Sequence, residues 1–275
     1  MRARHNDVEY REITSPANPL LKVFRRALAE GTTRDGCLAV EGPFLIEEAL
    51  RAKPQATLHS VLVSDEGLER LRELVRHLPA KSEVARVSDR LFRQVAETQS
   101  PQGIAALVEV HRRSLHSILQ APNALLLVAC GLQDPGNLGT MMRSAQAFGA
   151  SGVVTMTETV SPFNPKATRA SAGAIFHLPV FVDEPPDALF KALRAAGVRI
   201  VATDRQSPSA ISSADLRGPL AILIGQEAAG IPPEIEGEAD LLLSIPIRPG
   251  MDSLNAATAA SIFLYEVARQ RGFSH

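Results

Sequence analysis

The sequence predicts an α/β protein in two parts, and three observations carry that prediction. Apolar runs of strand length alternate with segments whose apolar residues recur at helical spacing along most of the 275 residues. In the second half several runs, Leu125-Leu126-Leu127-Val128-Ala129 above all, are apolar on both faces, the pattern of a parallel sheet covered by helices on each side. Between the halves the alternation stops at His111-Arg112-Arg113-Ser114, and a polar stretch leads to Pro122 just ahead of the next strand. Residues 1–113 are therefore expected as the first domain, 114–120 as a linker and 121–275 as the second domain.

The elements follow in order. Ser15-Pro16-Ala17-Asn18-Pro19 opens a turn, after which Leu20, Leu21, Phe24 and Leu28 predict a helix within residues 13–30. A second helix is expected after Gly42-Pro43, with Phe44, Leu45, Ala49 and Leu50 turned inward. Leu58–Val63 reads as a strand, Leu68–Leu78 as a helix and Gly103–Val110 as a strand. Beyond the linker, strands are expected at Leu125–Ala129, Gly152–Thr155, Leu178–Val182, Arg199–Ala202, Leu220–Ile224 and Leu241–Ile245. Helices should cover Leu138–Phe148, Ala188–Ala196 and Leu254–Arg271.

Composition limits what such a chain does. Lys and Arg number 29 against 30 Asp and Glu, so a strongly cationic protein is excluded while a local basic face is not. Residues 1–113 hold 18 basic and 16 acidic side chains, and seven of the basic ones fall between Arg2 and Arg34. That cluster suits either an anion-binding segment or a solvated helix face. Cys37 and Cys130 are far apart with no C-x-x-C, against a zinc ribbon or a disulfide scaffold. No secretory signal follows Met1-Arg2-Ala3-Arg4-His5, and no apolar run approaches a membrane span. A soluble, cytoplasmic protein with neither metal nor membrane association is expected.

Ligands of open parallel sheets bind beyond the carboxyl ends of strands, and three such ends carry unusual residues. The first is Asp134-Pro135-Gly136-Asn137-Leu138-Gly139-Thr140-Met141-Met142-Arg143. Asn137 stands where a helix cap would stand, and capping alone would account for it. Gly139 is costly in a first helical turn unless something packs close to it, and Arg143 follows one turn along. The second end is Gly225-Gln226-Glu227-Ala228-Ala229-Gly230, where Gly225 permits close approach of a ligand to the main chain and Glu227 either caps a short helix or serves a site. The third runs from Ile245-Pro246 to Ser253-Leu254-Asn255, with Asp252 or Ser253 as the expected cap of the following helix. That helix starts with Ala256-Ala257-Thr258-Ala259-Ala260-Ser261, slim enough for another segment to pass very close. G-x-G-x-x-G and G-K-[ST] are both absent, which removes the main support for a nucleotide-dependent oxidoreductase or a P-loop protein.

Taken in order, Asn137-x-Gly139-x3-Arg143, Gly225-x-Glu227-x2-Gly230, and Ile245-Pro246 with Ser253-Leu254-Asn255 resemble the three motifs of the SpoU (TrmH-type) RNA ribose 2′-O-methyltransferases. The segment Asn164-Pro165-Lys166-Ala167-Thr168-Arg169-Ala170-Ser171-Ala172-Gly173-Ala174 is also similar to its counterpart there. The likeness spans roughly residues 121–270. Upstream, Ser15-x2-Asn18-Pro19-x2-Lys22 and Val40-Glu41-Gly42 resemble the substrate-binding domain that often precedes the catalytic one. The resemblance implies a trefoil-knotted, SPOUT-type parallel sheet with helices on both faces, preceded by a smaller α/β domain of a ribosomal-protein type. It implies S-adenosylmethionine as cofactor, bound at Gly225, Ile245 and Leu254. Arg143 is implied as the catalytic arginine, with Asn137, Glu227, Ser253 and Asn255 completing the site. A homodimer acting on RNA is implied, ribosomal RNA ahead of transfer RNA. A non-catalytic RNA-binding protein of the same fold is the contrasting expectation, weakened by the presence of all five polar site residues.

Overall fold

Six strands order the first part of the chain, in a computed structural model that describes residues 2–5, 8–111, 113–226, 229–251 and 253–272. In chain order they are β1 (Arg2–His5), β2 (Val8–Glu12), α1 (Pro19–Glu30), β3 (Leu38–Glu41), α2 (Pro43–Arg51), β4 (Ala56–Ser64), α3 (Asp65–Arg70), α4 (Arg72–Arg76), β5 (Glu83–Val87), α5 (Asp89–Arg93) and β6 (Ile104–Val110). The strands lie in the order β1-β2-β5-β4-β6-β3, with β5 parallel to both β2 and β4 and the other pairs antiparallel. Phe24, Leu28, Leu62, Ala85, Phe92 and Leu107 meet in the core beneath α1. The expected helix over Leu68–Leu78 is two short helices with a kink at Leu71, across which the bonds Leu71 N–H to Gly67 C=O and Val75 N–H to Leu71 C=O continue. Four strands, β1, β2, β3 and β5, go beyond the sequence reading.

Local chemistry sets the boundaries. Asn18 caps α1 by accepting from the Leu20 amide at 2.9 Å, with Pro19 in the first turn, where its missing N–H costs nothing. Gly31 ends the helix at φ +94°, and a Cβ there would stand 1.9 Å from the carbonyl oxygen of Phe163. Residues 163–169 in fact belong to this compact unit, together with residues 1–111.

The second compact unit comprises residues 112–162 and 170–275. Its elements are α6 (Leu115–Leu119), β7 (Leu125–Ala129), α7 (Pro135–Ala147), β8 (Gly152–Met156), α8 (Pro165–Ala170, all but its last residue in the first unit), α9 (Ala174–His177), β9 (Val180–Glu184), α10 (Pro186–Ala195), β10 (Arg199–Thr203), β11 (Leu220–Ile224), α11 (Pro233–Glu236), β12 (Leu241–Leu243) and α12 (Ala256–Arg271). The sheet order is β12-β10-β11-β7-β8-β9, and every pair is parallel. β7 and β11 are buried along their whole length, as strands apolar on both faces require. Residues 114–120, expected as linker, carry α6, whose Ile118 and Leu119 are buried in this unit's core. Leu178, expected inside a strand, instead caps α9 through its amide to Ala174 C=O, so β9 starts at Val180. Likewise β12 stops at Leu243, leaving Ile245 beyond the strand.

The slim start of α12 packs on α7. Ala256, Ala257, Ala260 and Gly139 are buried, and the hydroxyls of Ser144 and Ser261 share a 2.7 Å hydrogen bond.

Candidate functional site

Three neighbouring parallel strands, β12, β10 and β11, end at one concave surface of about 300 Å³. That is where ligands of open parallel sheets are held. Thr203 to Gln206 enter it from the end of β10, Ile224 to Gln226 from β11, and Leu243 and Ile245 from β12. Ser253, Leu254 and the first turns of α12, down to the buried Phe263, close it from the other side. Of the residues singled out from the sequence, Gly225, Ile245, Ser253 and Leu254 line this surface.

The loop's own main chain requires a glycine at 225. A Cβ there would lie 2.2 Å from the carbonyl carbon of Gly230 and 2.5 Å from the Ile231 nitrogen. The space that a side chain would take is occupied by the loop's own main chain. The loop closes with reciprocal bonds, Gln226 N–H to Gly230 C=O at 3.0 Å and Gly230 N–H to Gln226 C=O at 2.9 Å. Gly230 takes φ +72°, a conformation that glycine adopts without steric cost. Glu227 and Asp252 lie outside the described residues.

The first and third motifs are joined directly. Asn255 Nδ2 donates to Asn137 Oδ1 at 2.9 Å. Asn255 also caps α12, its Oδ1 accepting from the amides of Ala257 and Thr258 at 3.0 and 3.2 Å. The cap is therefore Asn255, not Ser253. At α7 the cap is Asp134, which accepts from the Gly136 amide at 2.7 Å, so Asn137 sits inside the first turn with its side chain released for other contacts. Arg143 is exposed on α7 and makes no hydrogen bond or ion pair with a described residue. A guanidinium in that state suits an anion brought by a ligand.

Thr203, Asp204, Arg205, Gln206 and Glu236 line the surface and were not singled out from sequence. The signal was available, because the strand-end rule that drew attention to the other loops applies equally to β10. Cys130 lies just past β7, with its amide bonded to Ile224 C=O. Burial pushes its thiol up to about 12, so it stays protonated and is no nucleophile. Among the described residues no three His, Cys, Asp or Glu are placed to hold a metal ion.

In the first unit, Glu41 of the upstream motif holds a loop: its carboxylate accepts from the amides of Glu97 and Thr98 at 2.9 and 3.2 Å and from the Thr98 hydroxyl. Among the basic side chains around α1, Arg26 is paired with Glu30 and Arg25 donates to Gln94 C=O. Lys22 and Arg34 are exposed.

Fold and pocket together define an α/β protein with a ligand site at the carboxyl edge of a parallel sheet. Residues 124–265 match the SpoU rRNA Methylase family, and residues 26–106 match the MRM3-like substrate binding domain. The chain belongs to the SpoU rRNA methylase family. It is 32% identical over 258 residues to the 23S rRNA (guanosine(2553)-2′-O)-methyltransferase RlmP of Bacillus subtilis, covering 94% of this chain and 99% of that one. It is 34% identical over 205 residues to the 23S rRNA (uridine(2479)-2′-O)-methyltransferase of Streptomyces viridochromogenes, covering 73% of this chain and 71% of that one. Among solved structures, an rRNA methyltransferase from Sinorhizobium meliloti superposes with a TM-score of 0.82 at 30% identity, over 96% of this chain and 99% of the other. The SpoU methyltransferase AviRb from Streptomyces viridochromogenes, in complex with AdoMet, gives 0.80 at 29% identity, over 92% and 98%. The expected fold class, a SPOUT-type α/β sheet preceded by a smaller α/β domain, is the one this chain adopts.

Proposed function

We propose that this chain transfers the methyl group of S-adenosylmethionine to a ribose 2′-hydroxyl of ribosomal RNA. One observation carries the reading: the three ordered motifs converge, the second and third on a single pocket and the first tied to the third by the Asn255–Asn137 hydrogen bond. The pocket suits the cofactor. Ile231, Leu243, Leu254 and Phe263 offer an apolar bed for a purine, and Thr203, Gln226 and the main chain around Gly225 and Ile245 offer polar partners. Both relatives named above carry 2′-O-methyltransferase names, and AviRb was solved with AdoMet.

The bound cofactor supplies an electrophilic methyl on a sulfonium; the S–C bond breaks with its electron pair left on sulfur as the O–C bond forms. What this chain contributes is placement. Main-chain groups at Gly225, Ile245 and Leu254 hold the adenine end, and Ser253 borders the reacting end. The Arg143 guanidinium binds the phosphate beside the target ribose, which brings the 2′-oxygen into line. Alignment of this kind lowers barriers by up to ~7–11 kcal/mol in favourable systems. Asn137, fixed by Asn255, and Glu227 orient the hydroxyl, whose proton passes to the bound phosphate or to water. Residues 1–113 serve as the RNA substrate-binding domain and 121–275 as the catalytic domain. The active form is a cytoplasmic homodimer, and the exposed Tyr265 on α12, edge-on to Phe148 at 5.9 Å, is offered for the subunit contact.

The test is methyl transfer from labelled S-adenosylmethionine to 23S RNA, 16S RNA, assembled subunits and transfer RNA, followed by mapping of 2′-O-methyl positions. Label in one ribosomal RNA nucleotide supports the reading. Label confined to transfer RNA moves the substrate class, and no incorporation with any RNA overturns the assignment.

A further inference from the structure

The wall of the pocket carries charge that the motifs do not account for. Among its described residues, three bear acidic or basic side chains: Asp204, Arg205 and Glu236. Asp204 is half-buried at the end of β10 and held in place, because its amide donates to Leu243 C=O and its Oδ1 accepts from the Gln206 amide at 2.8 Å. Its second carboxylate oxygen makes no bond to a described residue. Glu236 is half-buried in α11, and its carboxylate likewise has no side-chain partner among the described residues. A purine nucleoside alone gives such a wall nothing to neutralise. Two half-buried carboxylates beside an apolar bed suit a cationic ligand group.

S-adenosylmethionine carries two positive groups, its sulfonium and its ammonium, and one negative group, its carboxylate. Among its described residues the wall sets two carboxylates, Asp204 and Glu236, toward a ligand with those positive groups. Resting on the function proposed above, we infer that Asp204 and Glu236 receive the cationic amino-acid end of the cofactor. The apolar bed and the main chain at Gly225 are left to the adenosine. These side chains thereby select the charged cofactor over neutral adenosine compounds of the same shape. Methyl transfer removes the sulfonium charge, so one of the attractions ends with the reaction and favours release of the product.

Calorimetry on the full chain separates this from a general structural role. The ligands are S-adenosylmethionine and 5′-methylthioadenosine, which keeps the adenine, ribose and thioether but has neither charge nor amino acid. Asp204→Asn keeps the Oδ1 acceptor for Gln206, and Glu236→Gln keeps the side-chain shape. Each variant is expected to weaken S-adenosylmethionine binding roughly three- to tenfold, as for a partly exposed ionic contact, with 5′-methylthioadenosine changed less than about twofold. In the wild type, raising salt should weaken the charged ligand and spare the neutral one. Equal losses for both ligands would assign the two carboxylates to the ribose or to the fold, and unchanged S-adenosylmethionine affinity would remove them from recognition; either overturns the inference while leaving methyl transfer intact. A wild-type chain without affinity for S-adenosylmethionine would overturn the proposed function as well.

Discussion

Arg143 leaves α7 into solvent, whereas Gly225 is enclosed where a loop folds back on itself. Their substitutions should therefore fail in different ways. Arg143→Ala is expected to reduce methyl transfer by about 10- to 100-fold, the loss of one charge-assisted hydrogen bond to phosphate, with cofactor affinity within about twofold of wild type. Near-normal turnover would remove Arg143 from the reaction. Gly225→Ala should abolish cofactor binding and lower the melting temperature as well, since its methyl group meets the main chain of Gly230 at 2.2 Å. Calorimetry with undiminished affinity would show that the loop can open without cost. At this scale the motifs were legible but their local jobs were only partly so. Asp134-Pro135-Gly136-Asn137 offers two capping side chains three residues apart, and the proline at the first helical position decides for Asp134. That preference was readable. The bond between Asn137 and Asn255 was not, because it joins residues 118 apart through the packing of two helices.

Among the elements, α12 shows how a helix is tied down at its far end. Glu266 accepts two bonds from Arg269, at 2.8 and 2.7 Å, and a third from Gln270 at 2.8 Å. Gln270 in turn donates to Ala214 C=O and accepts from the Leu216 amide. The Arg269 bonds hold the Glu266 carboxyl down to about 2. Because the folded value lies below the unfolded one, this contribution is complete above about pH 4.5 and is lost as pH falls toward 2. Acid titration of stability should show that loss, about 1 kcal/mol after allowing for the half-exposed arginine, and Glu266→Gln should flatten it. An identical acid limb in the variant would mean that the pair contributes nothing to folding. The core strands β7, β10 and β11 were readable because they are apolar on both faces, and their boundaries differ from expectation by at most one residue. β1 and β2 were missed for the converse reason. They lie at one edge of their sheet, and Arg2–His5 and Val8–Glu12 are rich in charge, as edge strands tend to be.

For the whole molecule, the division of labour between units is open to a direct test. A fragment starting at residue 112 keeps α6, and starting at Ala121 instead would strip Ile118 and Leu119 from the core at about 1.5–3 kcal/mol each. The longer fragment is expected to bind S-adenosylmethionine and sediment as a dimer, but to lose most RNA affinity. RNA binding by the full chain should weaken steeply with salt as phosphate contacts release counterions. Full methylation of RNA by the fragment would show that residues 1–111 are dispensable for recognition. Neither the inclusion of residues 163–169 in the first unit nor the close approach of Phe163 to Gly31 was legible, since sequence patterns report periodicity along the chain and not returns across it.

The pocket is assembled from segments synthesised after β7, β8 and β9. Its walls run from Thr203 to Phe263, and the element that closes it, α12, follows every strand of the sheet. A nascent chain therefore completes β11 and its glycine loop before the opposite wall exists. At ~5–20 residues per second, the interval between Gly225 and Phe263 lasts ~2–8 s, during which the apolar bed faces water or whatever shields it. Competence to bind the cofactor consequently arrives as a single event once α12 has been made, and a chain that stops short of α12 lacks one wall of the site.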